Sequence, residues 1–236
     1  WAWIAPLLRQ PKIVAGFAAS ALLLSANWLT YIWAVNNNHL VEASLGYFIT
    51  PLVSVALGFL LLHERPRTVQ WIAIAMAAFA VAWLTWHLGA PPWISLILAL
   101  TFGGYGLLRK TASLGALHGL ALETAVMLPL ALAYLMYTML QGDTSFSVAS
   151  TSTKWLLIMT GPVTAIPLLL FAAGARRLPL SMVGLLQYIT PSLVLLLGVV
   201  LYHEPLSGNK LIGFVIIWSA LALYSLEGLW VTWRKP

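Results

Sequence analysis

The chain has 236 residues, of which 61% are hydrophobic and only 8% charged, and its formal net charge is +6. A soluble domain carries about 25% charged residues, so the composition excludes an ordinary soluble globular protein and favours a protein embedded in a membrane. The sequence contains no cysteine, which excludes disulfides and thiolate chemistry.

Eight apolar segments follow one another along the chain, several of them long enough to cross a hydrocarbon core of roughly 30 Å as a helix. Prolines and loop-forming residues separate them, as in "HERPRT" and "HLGAPP", and only the segment 141–153 is a long polar loop. The predicted helices span residues 12–35, 44–62, 69–86, 92–110, 118–140, 154–176, 181–202 and 210–233. The sequence therefore predicts an all-α polytopic membrane protein.

Lysine and arginine are distributed unevenly between the two sides that these eight crossings define. Ten of them fall on one side, whereas the other side receives only Lys154 and Lys210. Because positive residues accumulate in cytoplasmic loops, this split predicts that both ends of the chain are cytoplasmic. The positive net charge is thus a property of membrane orientation, and we expect no nucleic-acid partner.

One stretch of the sequence occurs twice. "ITPLVSVALGFLLLHE" (49–64) returns as "ITPSLVLLLGVVLYHE" (189–204), and eight of 17 positions are identical between 48–64 and 188–204. The identities include a Thr-Pro pair, a glycine and a His-Glu pair, which two unrelated apolar helices would rarely share. The copies lie in the second and seventh predicted helices, an odd number of crossings apart, so they must run in opposite directions.

An inverted repeat of this kind is typical of secondary transporters. It predicts a first repeat over residues 1–90 with three helices, and a second repeat over residues 91–236 with five helices, inverted relative to the first. A complete first repeat would need two more helices ahead of Trp1.

Four stretches carry a resemblance to a known family: "NWLTYIWAVNNNHLVEASLGYFITPLVSVALGFLLLHER", "GLLRK", "LETAVMLPLALAY" and "QYITPSLVLLLGVVLYHE". Over essentially the whole chain, the sequence resembles the RarD-like branch of the EamA family, in the drug/metabolite transporter superfamily. The resemblance implies an inverted-repeat helical bundle of ten helices, of which eight are visible here. It also implies cytoplasmic ends and a bacterial inner membrane.

Glu123 is an acidic residue about five positions into the predicted helix 118–140. A charge within a membrane helix costs on the order of 2.5–3.5 kcal/mol, so such a residue usually faces the interior of the bundle. Two interpretations remain open. Glu123 is a proton-coupling or substrate-binding group in a cavity, or it is a carboxylate at the membrane interface that pairs with Arg109 or Lys110.

Asn27, Trp28 and Tyr31 lie on one face of the first predicted helix, because residues three and four apart are neighbours on a helix. A cavity lined by aromatic and amide groups would bind a small organic molecule. The alternative is an aromatic belt at the membrane interface, which explains Asn27 less well.

Pro51 and Pro191 occupy equivalent positions in the two copies, near the middle of their predicted helices. Each proline removes a backbone hydrogen bond and favours a kink, and the freed carbonyl is tolerated where it lines a cavity. Tyr47, Gln187 and Tyr188 lie within about one turn of these prolines. The alternative is that the kinks only shape helix packing.

Tyr105 lies among three glycines in "FGGYGLLRK", which favour close helix contact, and its ring is a further candidate for the cavity. The predicted substrate site comprises Asn27, Trp28, Tyr31, Tyr47, Pro51, Tyr105, Glu123, Gln187, Tyr188 and Pro191.

The His63-Glu64 and His203-Glu204 pairs do not form a metal site. Neither has a second histidine four residues on, and the inverted topology places the two pairs on opposite membrane faces. We interpret them as helix caps or loop anchors, and we predict no metal and no cofactor.

Three functions remain for such a chain. A secondary transporter agrees best with the repeat. It would export a small organic metabolite or drug by alternating access, with or without proton coupling. A nucleotide-binding P-loop is absent from the sequence, so ATP hydrolysis does not drive it. The alternatives are a non-transporting membrane subunit or scaffold, and an integral membrane enzyme, for which the six acidic residues are too dispersed. We therefore predict that the chain is not an enzyme, and that its partners are a small-molecule substrate and membrane lipid.

Overall fold

A computed structural model of the protein describes residues 10–37, 39–88, 93–142, 149–201 and 208–233. In this part of the chain the secondary structure is helical, and no strand is formed. The helices are α1 (Pro11–Asn36), α2 (Leu40–Leu62), α3 (Thr68–Leu88), α4 (Trp93–Thr111), α5 (Ala116–Leu140), α6 (Thr151–Arg177), α7 (Leu180–Leu186), α8 (Ile189–Leu201) and α9 (Gly208–Trp233).

Six helical segments among the described residues are long and apolar enough to cross a membrane. They are Pro11–Asn36, Ala43–Leu62, Thr68–His87, Ala116–Leu140, Thr151–Arg177 and Leu211–Gly228. Many large apolar side chains on these helices stay exposed, among them Leu140, Leu156 and Leu170. Contiguous apolar surface of this kind suits lipid rather than water. The predicted all-α membrane protein is confirmed.

The seventh predicted helix is not continuous. Residues 181–202 were expected to form one span, but α7 ends at Leu186 and α8 begins at Ile189, with a turn at Gln187 and Tyr188 between them. The predicted span is therefore interrupted about one turn before Pro191, the residue at which a kink was expected. Pro191 has no N–H to donate to the Gln187 carbonyl, and it now lies in the first turn of α8, where a missing N–H has little cost. Its counterpart Pro51 remains inside the continuous helix α2.

The chain folds into two compact units, the first comprising residues 1–24 and 108–177, the second residues 25–107 and 178–236. The units describe packing, whereas the two repeats describe duplication of sequence. The predicted division of the chain at residues 90 and 91 therefore stays a prediction.

In the second unit, α3 packs against α9 through small residues. Ala73, Ala77 and Ala80 recur every three to four positions along α3 and are fully buried, as is Ala220 on α9. A side chain at Gly213 would overlap the buried Leu84. Small residues at this spacing let two helix backbones approach closely, which is how membrane helices associate without a hydrophobic driving force.

Helices α2 and α7, also in the second unit, run antiparallel. Near the start of α2, the Phe48 carbonyl accepts a hydrogen bond from the Tyr188 hydroxyl at 3.2 Å, just beyond the end of α7. After the end of α2, the Glu64 carboxylate accepts a hydrogen bond from the Leu180 amide at the start of α7. Phe48 and Tyr188 are equivalent positions of the repeated stretch, so this hydrogen bond joins the two copies. That the copies belong to two inverted repeats stays a prediction.

The first unit has a small apolar core at the start of α1. Phe17 on α1 and Leu122 on α5 are buried, and Ile13, Leu114 and Val126 pack against them. This core surrounds the polar group described next.

Candidate functional site

The first unit contains a buried carboxylate, that of Glu123 on α5. Its side chain is only 3% exposed. The Ser20 hydroxyl on α1 donates to Glu123 Oε1 at 2.5 Å, and Arg109 Nη1 lies 3.5 Å from the same oxygen. Three helices thus converge on one carboxylate oxygen.

Arg109 lies in the last turn of α4 and is fully buried. Its Nη2 donates to the Ala116 carbonyl at 2.9 Å, and its guanidinium lies over the Phe17 ring, 5.4 Å from the centroid. Gly119 makes room for this arrangement, because a Cβ there would overlap both the guanidinium and the Phe17 ring. Contacts from α1 and α5 therefore hold the arginine inward.

The Arg109–Glu123 pair is incompletely hydrogen bonded within the described part of the chain. Arg109 Nε and Nη1 and Glu123 Oε2 are buried there without a hydrogen-bond partner. Burying two charges is costly unless their remaining polar atoms are satisfied, so a pair of this kind is weak evidence for stability. An ionisable residue buried within a membrane helix is instead, by default, a candidate functional site.

A cavity of about 260 Å³ lies beside this pair, between the start of α1 and the end of α4. Lys12, Thr111 and Ser113 supply polar groups to its lining, and Phe17 supplies an apolar wall. Ser20 also lines the cavity, and the same side chain binds Glu123. Ser20 therefore lies between the cavity and the buried carboxylate.

The two interpretations of Glu123 can now be compared with the geometry. Pairing with Arg109 is confirmed, although the pair is buried rather than exposed at an interface. Lys110 instead donates to the Ala175 carbonyl at 3.5 Å. A coupling role for Glu123 stays a prediction.

The remaining predicted site residues lie in the second unit. Asn27 is half-buried, and its amide donates to the Leu98 carbonyl at 2.8 Å and to Thr101 Oγ1 at 3.0 Å. These bonds tie α1 to α4. The neighbouring Trp28 is 42% exposed, so the two side chains have different surroundings.

Tyr31 and Tyr47 form an aromatic contact between α1 and α2, with ring centroids 6.2 Å apart in an edge-to-face arrangement. Tyr47 is 42% exposed, whereas Tyr105 on α4 is fully buried, with its ring 5.9 Å from that of Phe102. The first two residues therefore share a surface, and Tyr105 belongs to the interior.

The residues predicted around the two prolines (Pro51, Gln187, Tyr188 and Pro191), here called the proline region, lie together in part. Pro51 and Pro191 are both buried, and Gln187 is half-buried in the turn between α7 and α8. Tyr188 is fully buried and donates to α2. A Cβ at Gly184 would lie 2.7 Å from the Pro51 carbonyl oxygen, so α7 packs directly on the α2 backbone at the proline. That all these residues form one substrate site stays a prediction.

The His63-Glu64 pair anchors a helix, as expected. His63 adopts the left-handed conformation, φ 55°, that ends α2. The Glu64 carboxylate then accepts hydrogen bonds from the Leu180 amide at 2.6 Å, the Ser181 amide at 3.0 Å and Ser181 Oγ at 2.8 Å. It thereby caps the N-terminus of α7. The predicted anchors His203 and Glu204 lie outside the described residues.

The sequence analysis did not predict two members of this buried group. Ser20 was not named as a site residue, and Arg109 was named only as a partner of Glu123 at the membrane interface. Ser20 meets Glu123 across 103 positions, and no local pattern connects them. Arg109 stands beside Lys110 at the end of an apolar run, a position typical of a cytoplasmic loop. Only the glycine one turn above Glu123, Gly119, offered a local signal that a bulky side chain packs there.

The chain belongs to the EamA-like transporter family, whose model matches residues 1–86 and 92–226. The class of protein is therefore a multi-pass membrane protein of the drug/metabolite transporter type, and the resemblance to its RarD-like branch is confirmed.

Individual relatives show how similar the chain is to known proteins. The chain is 49% identical over 234 residues to a protein of Pseudomonas aeruginosa named an uncharacterized transporter, covering 99% of this chain and 77% of that relative. It is 45% identical to the uncharacterized transporter YojE of Bacillus subtilis, covering 100% of this chain and 77% of the relative. It is 42% identical to protein RarD of Escherichia coli, covering 99% and 79%.

A solved crystal structure of a protein superposes on this fold with a TM-score of 0.67. The two sequences are 21% identical, and the match covers 94% of this chain and 82% of the other. At that identity the comparison supports the fold alone.

Proposed function

We propose that this protein is a secondary transporter that exports small organic metabolites or drugs across a bacterial inner membrane. It would work by alternating access between two inverted repeats, and proton binding at Glu123 would drive the cycle. Membership of the EamA-like transporter family and relatives named as transporters support this class.

The buried Arg109–Glu123 pair is the observation that carries the proposal. A protein that only scaffolds other subunits has no need of a carboxylate that is 3% exposed inside an apolar helix. A proton-coupled carrier does, since a buried carboxylate that gains and loses a proton changes the charge of the bundle interior during the cycle.

The arrangement of α2 and α7 supports alternating access. These helices run antiparallel, and the turn at Gln187 and Tyr188 interrupts the second copy of the repeat beside the proline of the first. Discontinuous helices near the repeat interface commonly form the substrate site of secondary transporters. We therefore keep Tyr31, Tyr47 and the proline region as the proposed substrate-binding surface.

Orientation is part of the proposal. The split of ten basic residues against two supports cytoplasmic ends of the chain. Export is a separate part of the proposal, in which the protein takes up its solute from the cytoplasm and releases it outside.

Reconstitution into liposomes tests the proposed function. Liposomes that contain the purified protein are tested with a panel of labelled amino acids, organic acids, nucleosides and cationic drugs. The counterflow of each solute is compared with that in protein-free liposomes. Saturable exchange of at least one class supports transport. Counterflow that never exceeds that of protein-free liposomes, together with no solute raising the melting temperature, would contradict it.

A further inference from the structure

The Ser20 side chain occupies the boundary between the cavity and the buried carboxylate. It lines the cavity together with Phe17 and Thr111, and its hydroxyl lies 2.5 Å from Glu123 Oε1. Among the described residues, it is the one cavity-lining side chain with a hydrogen bond to Glu123. A cavity of about 260 Å³ has room for several waters.

The Ser20 hydroxyl has a single proton but two acceptors. One is Glu123 Oε1, and the other is the Phe17 carbonyl one turn earlier, at 3.0 Å. A serine hydroxyl is at once a donor and an acceptor, and its proton rotates to suit its neighbours. The group can therefore satisfy two different hydrogen-bond patterns without moving any heavy atom.

These two patterns match the two protonation states of Glu123. When the carboxylate is ionised, Ser20 donates to Oε1. When Oε1 carries a proton, that proton is donated to Ser20 Oγ, and the Ser20 proton turns to the Phe17 carbonyl. The other carboxylate oxygen, Oε2, has no hydrogen-bond partner within the described residues. A proton on Oε1 therefore finds an acceptor there, whereas a proton on Oε2 does not.

We propose that Ser20 is the relay through which Glu123 exchanges protons with the cavity, an inference that rests on the proposed coupling role of Glu123. A water in the cavity gives a proton to Ser20 Oγ while the original hydroxyl proton passes to Glu123 Oε1. The water is left as hydroxide, which the solvent reprotonates, or it starts as hydronium and is left neutral. Release follows the same steps in reverse.

Several charged groups surround this relay. Arg109 faces the carboxylate directly and stabilises its ionised form. Lys110 and Arg176 are held on the Ala175 and Ala112 carbonyls. Further titratable side chains among the described residues of this unit include Lys12 on α1, His118 on α5 and Arg177 on α6. Lys12 lines the cavity, so its charge also acts on protons that enter there.

The test follows proton uptake by the full chain in detergent after a rapid drop in pH, using an indicator dye in a stopped-flow instrument. Wild type shows an uptake phase that Glu123→Gln removes. Ser20→Ala slows that phase by about tenfold or more, the factor that loss of one charge-assisted hydrogen bond represents. Ser20→Thr keeps the hydroxyl and the rate.

Thr124→Ala is the matched control, because Thr124 follows Glu123 directly, its hydroxyl donates to the Leu120 carbonyl of its own helix, and it is not among the residues that line the cavity. It should leave the rate unchanged. Infrared difference spectra provide a second measurement: Ser20→Ala shifts the carboxyl stretch of protonated Glu123, whereas Thr124→Ala does not. Gel filtration checks that each variant folds. If Ser20→Ala does not fold, the comparison of Ser20→Thr with wild type still tests the relay.

Two outcomes separate this inference from the proposed function. If Ser20→Ala matches wild type in rate and spectrum while Glu123→Gln abolishes uptake, the relay is wrong and the coupling role survives. If Glu123→Gln retains the uptake phase, Glu123 is not the proton-binding group, and both proposals fail.

Discussion

Among single residues, Glu123 and Arg109 illustrate what a sequence carries and what it omits. An acidic residue inside an apolar helix is unusual enough to identify Glu123 directly. Arg109 follows an equally apolar run, yet its position at a helix end predicts a loop. Its burial depends on Phe17 from α1 and on the absence of a side chain at Gly119 from α5, which are tertiary facts.

A double-mutant cycle tests the Arg109–Glu123 pair. Arg109→Gln and Glu123→Gln should each lower the free energy of unfolding by about 3–5 kcal/mol, because each leaves one buried charge without its partner. The double variant should lose less than the sum of the two, giving a coupling energy of about 1–3 kcal/mol. Denaturation in mixed detergent micelles measures this.

Additive losses in that cycle would show that the two side chains do not interact. Lys110→Gln is the matched control, since Lys110 is the adjacent cation and binds a backbone carbonyl rather than Glu123. It should change stability by less than either member of the pair.

At the scale of helices, the two copies of the repeated stretch differ more in structure than in sequence. The first copy lies in one continuous helix, whereas the second is divided between α7 and α8. Hydropathy predicts most helices within a few residues of their bounds, since an apolar run in a membrane must close its backbone hydrogen bonds as a helix. The sequence predicts a kink at both prolines, but it does not distinguish the break between α7 and α8 from the continuous α2, which passes through the equivalent Thr-Pro pair. The Tyr188 hydroxyl bond to α2, which no local pattern reveals, holds the broken copy in place.

The seven-residue helix α7 depends on its cap. A helix this short is not stable alone, and its first amides are satisfied by Glu64. Glu64→Ala should lower the free energy of unfolding by about 1–3 kcal/mol, because two amides lose a charged acceptor. Thermal unfolding measured by circular dichroism checks this.

Glu64→Gln provides the comparison, because its amide oxygen still accepts one hydrogen bond. It should cost less than Glu64→Ala. Equal stability of Glu64→Ala and wild type would mean that α7 does not need this cap.

The contact between α7 and α2 at Gly184 gives a separate prediction. Gly184→Ala would place a Cβ 2.7 Å from the Pro51 carbonyl oxygen and 2.8 Å from Ser54 Cβ, so the helices must move apart. We expect a destabilisation of about 1–3 kcal/mol from this overpacking. Gly174→Ala, where a Cβ meets nothing within 4 Å, should be neutral or slightly stabilising. Equal melting temperatures for the two variants would contradict the packing of α7 on α2.

At the scale of the whole molecule, composition and the positive-inside pattern determine most of the expectation. They predict membrane crossings and their orientation, because both depend on the solvent each segment meets rather than on specific contacts. The grouping of side chains into a site depends on contacts across the chain, and the sequence offered only Glu123 and its pairing with Arg109 or Lys110.

Orientation can be measured directly, since the chain contains no cysteine. Ser113→Cys, between α4 and α5, should react with a membrane-impermeant maleimide only after the cells are opened. Ser150→Cys, between α5 and α6, should react in intact cells. The reverse pattern would overturn the proposed cytoplasmic location of the chain ends.

Transport driven by a pH gradient tests the proton-coupled function most directly. In liposomes that contain the intact protein and a solute identified by counterflow, wild type should accumulate the solute when a pH gradient is imposed. Glu123→Gln should still exchange solute at equal pH but lose the accumulation, because its side chain carries no titratable proton. Full pH-dependent accumulation by Glu123→Gln would contradict the account.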